Sequence, residues 1–125
     1  QQVEERVRAM AYVDPLTGLA NRHLFNQRLR ELLGGEASMR HPAALLYLDL
    51  DDFKSINDTH GHLFGDNLLR EMGARLQRVS RDGDLVARLG GDEFAVLVEN
   101  PGGDGLLIER AHRLLAAARE PFDIE

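Results

Sequence analysis

Leu85-Val86-Ala87-Arg88-Leu89-Gly90-Gly91-Asp92-Glu93-Phe94-Ala95-Val96-Leu97-Val98 contains two short β-prone runs, Leu85 to Leu89 and Phe94 to Val98, joined through a Gly-Gly pair. Runs of this length around a glycine turn read as a β-hairpin. Its tip carries two carboxylates, Asp92 and Glu93. Gly90 and Gly91 supply backbone without side-chain bulk, so a phosphate could approach main-chain N–H groups closely there. Taken alone, a Gly-Gly before a charged pair is also a common hairpin turn.

Upstream, Ala43 to Leu48 is the longest apolar run, far too short to cross a bilayer. It is apolar on both faces, which predicts a strand covered on both sides. Asp49, Asp51 and Asp52 follow at once. A carboxylate at the end of a buried strand is aimed by a rigid element, and Asp49 would converge with Asp92 if this strand neighbours the hairpin. Two carboxylates with a main-chain carbonyl suit magnesium, which takes oxygen ligands and shares them with substrate phosphates. Such a pair supports phosphoryl-type transfer. Asp51 and Asp52 alone read as solvated loop charge. A calcium loop starting at Asp49 fails, because Phe53 and Lys54 stand where an oxygen ligand and a glycine are required.

The rest of the chain is helical in pattern. Val3, Val7 and Met10 lie on one stripe of a first helix, either packed on its own domain or ending a helical linker from an upstream sensor. Asp14-Pro15 breaks that pattern. Asn21 can cap a second helix that carries Leu24, Phe25, Leu29, Leu32 and Leu33 and ends at Gly34-Gly35. A third is expected from about Asp66 to Val79, and Asp82-Gly83 marks a turn before the hairpin. After a loop from Pro101 to Gly105, a last helix is expected over Leu106 to Ala118, and Pro121 to Glu125 reads as the approach to another strand. The order helix, helix, strand, helix, hairpin, helix is an α+β pattern with an antiparallel element, not a doubly wound nucleotide fold.

A chain of 125 residues has room for one domain. Its net charge of −6 makes nucleic acid and anionic membrane surfaces poor partners, and a small anionic substrate would need a metal or local basic groups. No cysteine is present, so disulfides and thiolate metal sites are excluded. The charged and amide-rich start, Gln1 to Arg8, does not read as a signal peptide. The expectation is a cytoplasmic segment without membrane contact of its own, or the cytoplasmic part of a larger membrane-anchored sensor.

Gly90-Gly91-Asp92-Glu93-Phe94, preceded by Arg88-Leu89, resembles the signature of the GGDEF family of diguanylate cyclases. Further segments resemble that family in the right order: Asp14 to Arg22 its entry motif, Asp49 to Asp58 its strand-to-helix segment, and His60 to Asp66 the loop that follows. The resemblance implies a palm-like, antiparallel-containing sheet flanked by helices, as in adenylyl cyclases and some polymerases. It implies condensation of two GTP molecules into cyclic di-GMP with release of pyrophosphate, in bacterial second-messenger signalling, by a homodimer that uses Mg2+. Carried over, Asp49, Asp92 and the carbonyl of Leu50 are metal ligands. Glu93 is the candidate base, and Lys54 offsets phosphate charge. Asn57 and Asp66 read guanine, with His62, Gly90 and Gly91 beside the substrate. A carboxylate at Asp66 could accept from the guanine N1–H and amino group, which adenine cannot offer.

The family's product-inhibition site, an Arg-x-x-Asp five residues before the signature, is matched by Arg81 and Asp84 in type and spacing. This implies cyclic di-GMP as an allosteric inhibitor as well as the product. The family continues with a strand and a helix bearing a Lys and an Arg that clamp the triphosphate, and these have no counterpart before Glu125. The expected organisation is a linker or signalling helix over 1–12 and a GGDEF domain over 13–125 lacking its C-terminal strand and helix. The alternative reading is a catalytically impaired module that binds GTP or cyclic di-GMP, including one attached to an EAL phosphodiesterase domain.

Overall fold

Along Phe94 to Val98, successive side chains point to opposite faces, and both faces are buried. Phe94, Val96 and Val98 enter one apolar cluster, and Ala95 and Leu97 enter a second. In the computed structural model, which describes residues 11–34, 43–99 and 102–122, this segment is the central strand of the sheet. The element order is α1 (Arg22–Leu33), β1 (Ala43–Asp49), α2 (Phe53–His60), α3 (His62–Val79), β2 (Leu85–Gly90), β3 (Glu93–Glu99) and α4 (Asp104–Arg119). The sheet order is β1-β3-β2, with both pairings antiparallel. The architecture is α+β, as the sequence pattern predicts.

Helices α3 and α4 cover one face. Leu69, Met72 and Leu76 of α3 and Leu114 of α4 meet Phe94, Val96 and Val98 there. Leu76 is fully buried, so truncating it to alanine should cost about 2–5 kcal/mol. Helix α1 covers the other face through Phe25, which packs with Ala20, Ala87, Ala95 and Leu97. Asn21 caps α1 as its sequence predicts: its side-chain oxygen accepts from the N–H of Leu24 at 2.9 Å. Among the described residues, no helix is long and apolar enough to cross a membrane.

Three expectations need correction. Among the described residues, β1 is an edge strand with one face open, not a strand covered on both sides: Leu45 is 37% and Tyr47 64% exposed. An extra helix, α2, precedes the one expected from Asp66, which itself begins at His62. Its eight residues carry only Phe53 and Ile56 as large apolar side chains, too few to set a helical period. Gly61, at φ +93°, divides it from α3. The last helix starts at Asp104, inside the stretch expected as loop, and runs to Arg119. The helix read over the first ten residues, Gly35 and Asp123 to Glu125 lie outside the described residues.

Candidate functional site

The β1–β3 register places Asp49 directly opposite Glu93, and the N–H of Leu50 donates to the carbonyl of Asp92 at 3.3 Å. Asp49, Leu50, Asp92 and Glu93 therefore meet at one end of the sheet, where β1 stops and the hairpin turns. The turn is shaped by glycine conformation: Gly90 sits at φ +142° and Gly91 at φ +51°, with open space where a Cβ would stand. Backbone angles, not crowding, call for glycine there. The pairing also slips between Arg88 and Gly90, an irregularity of the kind that re-aims side chains at a sheet end. In the turn after β1, Asp52 is the non-glycine residue with positive φ, at +58°, among the described residues. That conformation costs about 1 kcal/mol and turns the chain sharply from β1 into α2.

The carboxylates repel one another. The charge of Asp92 raises the pKa of Asp49 above its ordinary value; partial desolvation, the charge of Glu93, a side-chain hydrogen bond with Asp92 and the charge of Asp51 push the same way. A group held this way favours anything that brings positive charge between the two side chains. Among the described residues, no group of three or more His, Cys, Asp or Glu side chains forms a metal set by itself. Two carboxylates with the Leu50 carbonyl nevertheless fit the oxygen chemistry of magnesium, which retains waters and takes further ligands from a substrate.

Two arginines tie the hairpin to the entry segment. Arg88 donates to the carbonyl of Gly91 through Nε at 3.0 Å and Nη2 at 2.8 Å, and through Nη1 to Asp14 at 3.0 Å. Asp14 is buried and also accepts from the N–H and hydroxyl of Thr17. The entry segment in turn joins the edge of β2: the N–H of Arg88 donates to the carbonyl of Ala20 at 2.9 Å. Arg22, the first residue of α1, donates to the carbonyl of Leu89 at 3.2 Å and lies 3.6 Å from the Glu93 carboxylate. Sequence reading assigned the entry segment to a motif but no function to Arg22 or Arg88. Their arginine type was visible; their partners lie 67 and 74 positions away.

The residues expected to meet a base lie on two consecutive helices packed against one another, Asn57 on α2 and Asp66 on α3, both half-buried. Lys54 and His62, near the starts of those helices, are exposed. Arg81 and Asp84 stand at the opposite end of the sheet, before β2. The N–H of Arg81 donates to the Asp84 carboxylate at 2.9 Å. That carboxylate is almost fully enclosed and forms an ion pair with Arg110 of α4, a partner the sequence reading missed. Arg81, Arg110 and Arg113 line a cleft of about 200 Å³ with Val79, Glu109 and Leu114.

Residues 11–125 match the family described as "Diguanylate cyclase, GGDEF domain". The chain is 43% identical over 101 residues to diguanylate cyclase DgcS of Shewanella oneidensis, covering 80% of this chain and 34% of that protein. It is 37% identical over 124 residues to cyclic di-GMP phosphodiesterase PdeR of Escherichia coli, covering 99% of this chain and 18% of that protein. The chain thus spans about a third or less of these relatives' length. The crystal structure of the coiled coil and GGDEF domain of DgcB from Caulobacter crescentus, in complex with cyclic di-GMP, superposes with a TM-score of 0.82 at 31% identity. That likeness covers 90% of this chain and 59% of the other, and the shared fold is the palm-like one.

Proposed function

The chain belongs to the GGDEF family, a family of cyclic di-GMP signalling, and from that premise we propose that it is one half of a diguanylate cyclase centre. The observation that carries this reading is the meeting of Asp49 with Asp92 and Glu93 across the β1–β3 pair, with Asp49 held as a weakened acid by its neighbour. Asp49, Asp92 and the Leu50 carbonyl would hold magnesium, which would offset triphosphate charge and acidify a ribose hydroxyl. Glu93 would accept the 3′-hydroxyl proton, with Arg22 a solvent-exposed neighbour 3.6 Å from its carboxylate. The 3′-oxygen then bonds to the α-phosphorus of a second GTP, and the bond to its β-phosphate oxygen breaks to release pyrophosphate. Lys54 would draw in the phosphates, and Asn57 and Asp66 would select the guanine.

One copy supplies one base pocket and one carboxylate set, so two copies must face each other, each GTP attacking the other. The deciding experiment is chromatographic detection of cyclic di-GMP from GTP and magnesium by the full-length protein. Absence of product, with GTP still bound, would reject the cyclase reading.

A second reading is favoured by the cleft at Arg81, Arg110 and Arg113: a module that binds cyclic di-GMP through its phosphates. Tight cyclic di-GMP binding by a protein that makes none would select it.

A further inference from the structure

Helices generally disfavour glycine, and Gly65 occupies the fourth position of α3, buried against α2. Its backbone does not explain it, because its φ is not among the positive ones. Its surroundings do. A Cβ on Gly65 would stand 1.8 Å from Oδ1 and 2.9 Å from Cγ of Asn57, and 3.3 Å from Cζ of Phe53. Both of the closest contacts are with the end of the Asn57 side chain, so alanine at this position is accommodated by the carboxamide leaving the notch. The enclosed Oδ1 has no hydrogen-bond partner among the described residues. A buried acceptor without a donor is unfavourable, so the pose is held by the shape of the notch and not by bonds within it.

We propose that Gly65 is a positioning residue for base recognition: the space left by its missing Cβ seats the Asn57 carboxamide, leaving the amide N–H2 to donate to a purine acceptor. This rests on the reading of Asn57 as a base contact. Gly65 stands directly before Asp66, so the residue that seats one base-reading side chain adjoins the other. The substrate class is therefore set by a contact between helices as well as by the two polar side chains themselves.

The test uses the full-length protein with 3′-deoxy-GTP, which cannot turn over, and inorganic triphosphate as a base-free probe, both with magnesium. Gly65→Ala, Asn57→Ala and the double variant are titrated, and their thermal unfolding is followed. Gly65→Ala is expected to weaken 3′-deoxy-GTP binding about tenfold, leave triphosphate binding unchanged, and add nothing to Asn57→Ala. The double variant should recover the unfolding temperature lost in Gly65→Ala, since the colliding side chain is gone. If Asn57→Ala binds 3′-deoxy-GTP normally, the base-pocket reading fails and the proposal with it. If Asn57→Ala is impaired and Gly65→Ala is not, the pocket stands and the proposal falls. Additive losses, or an equal loss of triphosphate binding, would make Gly65 a residue of the general fold and overturn it. Should Gly65→Ala not fold, the double variant must; a double variant that also fails to fold overturns the notch.

Discussion

Arg88 bonds to the carbonyl of Gly91 in the signature turn and, 3.0 Å away, to Asp14 in the entry segment, with Asp14 and Arg88 side chains only 11% and 16% exposed. The Leu50 N–H on the Asp92 carbonyl and Arg22 on the Leu89 carbonyl hold the same turn. The Arg88 guanidinium adds a tie to a second part of the chain, so a residue outside the carboxylate cluster helps to aim Asp92 and Glu93.

Arg88→Ala should therefore lower turnover by more than it lowers GTP affinity. Asp14 keeps its bonds from Thr17, so the stability loss is expected at about 2 kcal/mol, less than for a wholly unpaired buried charge. Arg88→Lys cannot reproduce the forked contact and should rescue little. Steady-state kinetics and denaturant unfolding check this; a variant with unchanged kcat would remove the hairpin-positioning role.

Repulsion among Asp49, Asp92 and Glu93 has a sign that can be measured. A raised carboxylate pKa in the folded state means the folded protein binds the proton more tightly. That contribution is fully present below the unfolded pKa and fades as pH rises through the raised value, leaving net repulsion at neutral pH. Asp49→Asn and Asp92→Asn should thus raise the unfolding temperature in metal-free buffer at pH 7 and low salt. On the proposed magnesium site, they should also lose the stabilisation that added magnesium is expected to give the parent protein. An unfolding temperature lowered by either change in metal-free, low-salt buffer would contradict the repulsion.

Base choice should depend on Asp66 and Asn57 together. Asp66→Asn with Asn57→Ala is expected to cut GTP affinity roughly ten- to hundredfold and to narrow the preference over ATP, at about 1–3 kcal/mol for unpaired buried partners. Calorimetry showing unchanged GTP affinity would move the base pocket elsewhere.

At the other end of the sheet, the two members of the Arg81-x-x-Asp84 pair should behave differently. On the proposed product-site reading, Arg81→Ala is expected to weaken cyclic di-GMP binding and to relieve any inhibition by added cyclic di-GMP, with little change in initial rate. Asp84→Ala should in addition destabilise the fold by about 3–5 kcal/mol, because it strips Arg110 of a nearly buried partner. Equal stability of the two variants would mean that Asp84 is not held as described.

Much of this was legible in local pattern. The hairpin followed from two short apolar runs joined through Gly90-Gly91, and the Asn21 cap from an amide before an amphipathic stretch. The approach of Asp49 to Asp92 needed only the assumption that β1 neighbours the hairpin. What escaped was non-local or short. Arg110 meets Asp84 from 26 positions away, a contact no spacing reveals. Helix α2 has too few apolar residues to show a period. The open face of β1 was read as covered because Leu45 and Tyr47 look like core residues, although exposure depends on what packs above them. The fit between Gly65 and Asn57 is a steric fact of two helices crossing, invisible until both are placed.

The most direct test is the yield of cyclic di-GMP from GTP and magnesium by the full-length protein, beside its Asp92→Asn variant, under conditions where both bind GTP. The expected result is cyclic di-GMP with two pyrophosphates per product from the parent and none from the variant. Cyclic di-GMP from the variant at the parent's rate, or none from a parent that binds GTP and pairs with itself, would contradict the assignment of this carboxylate cluster as a cyclase centre.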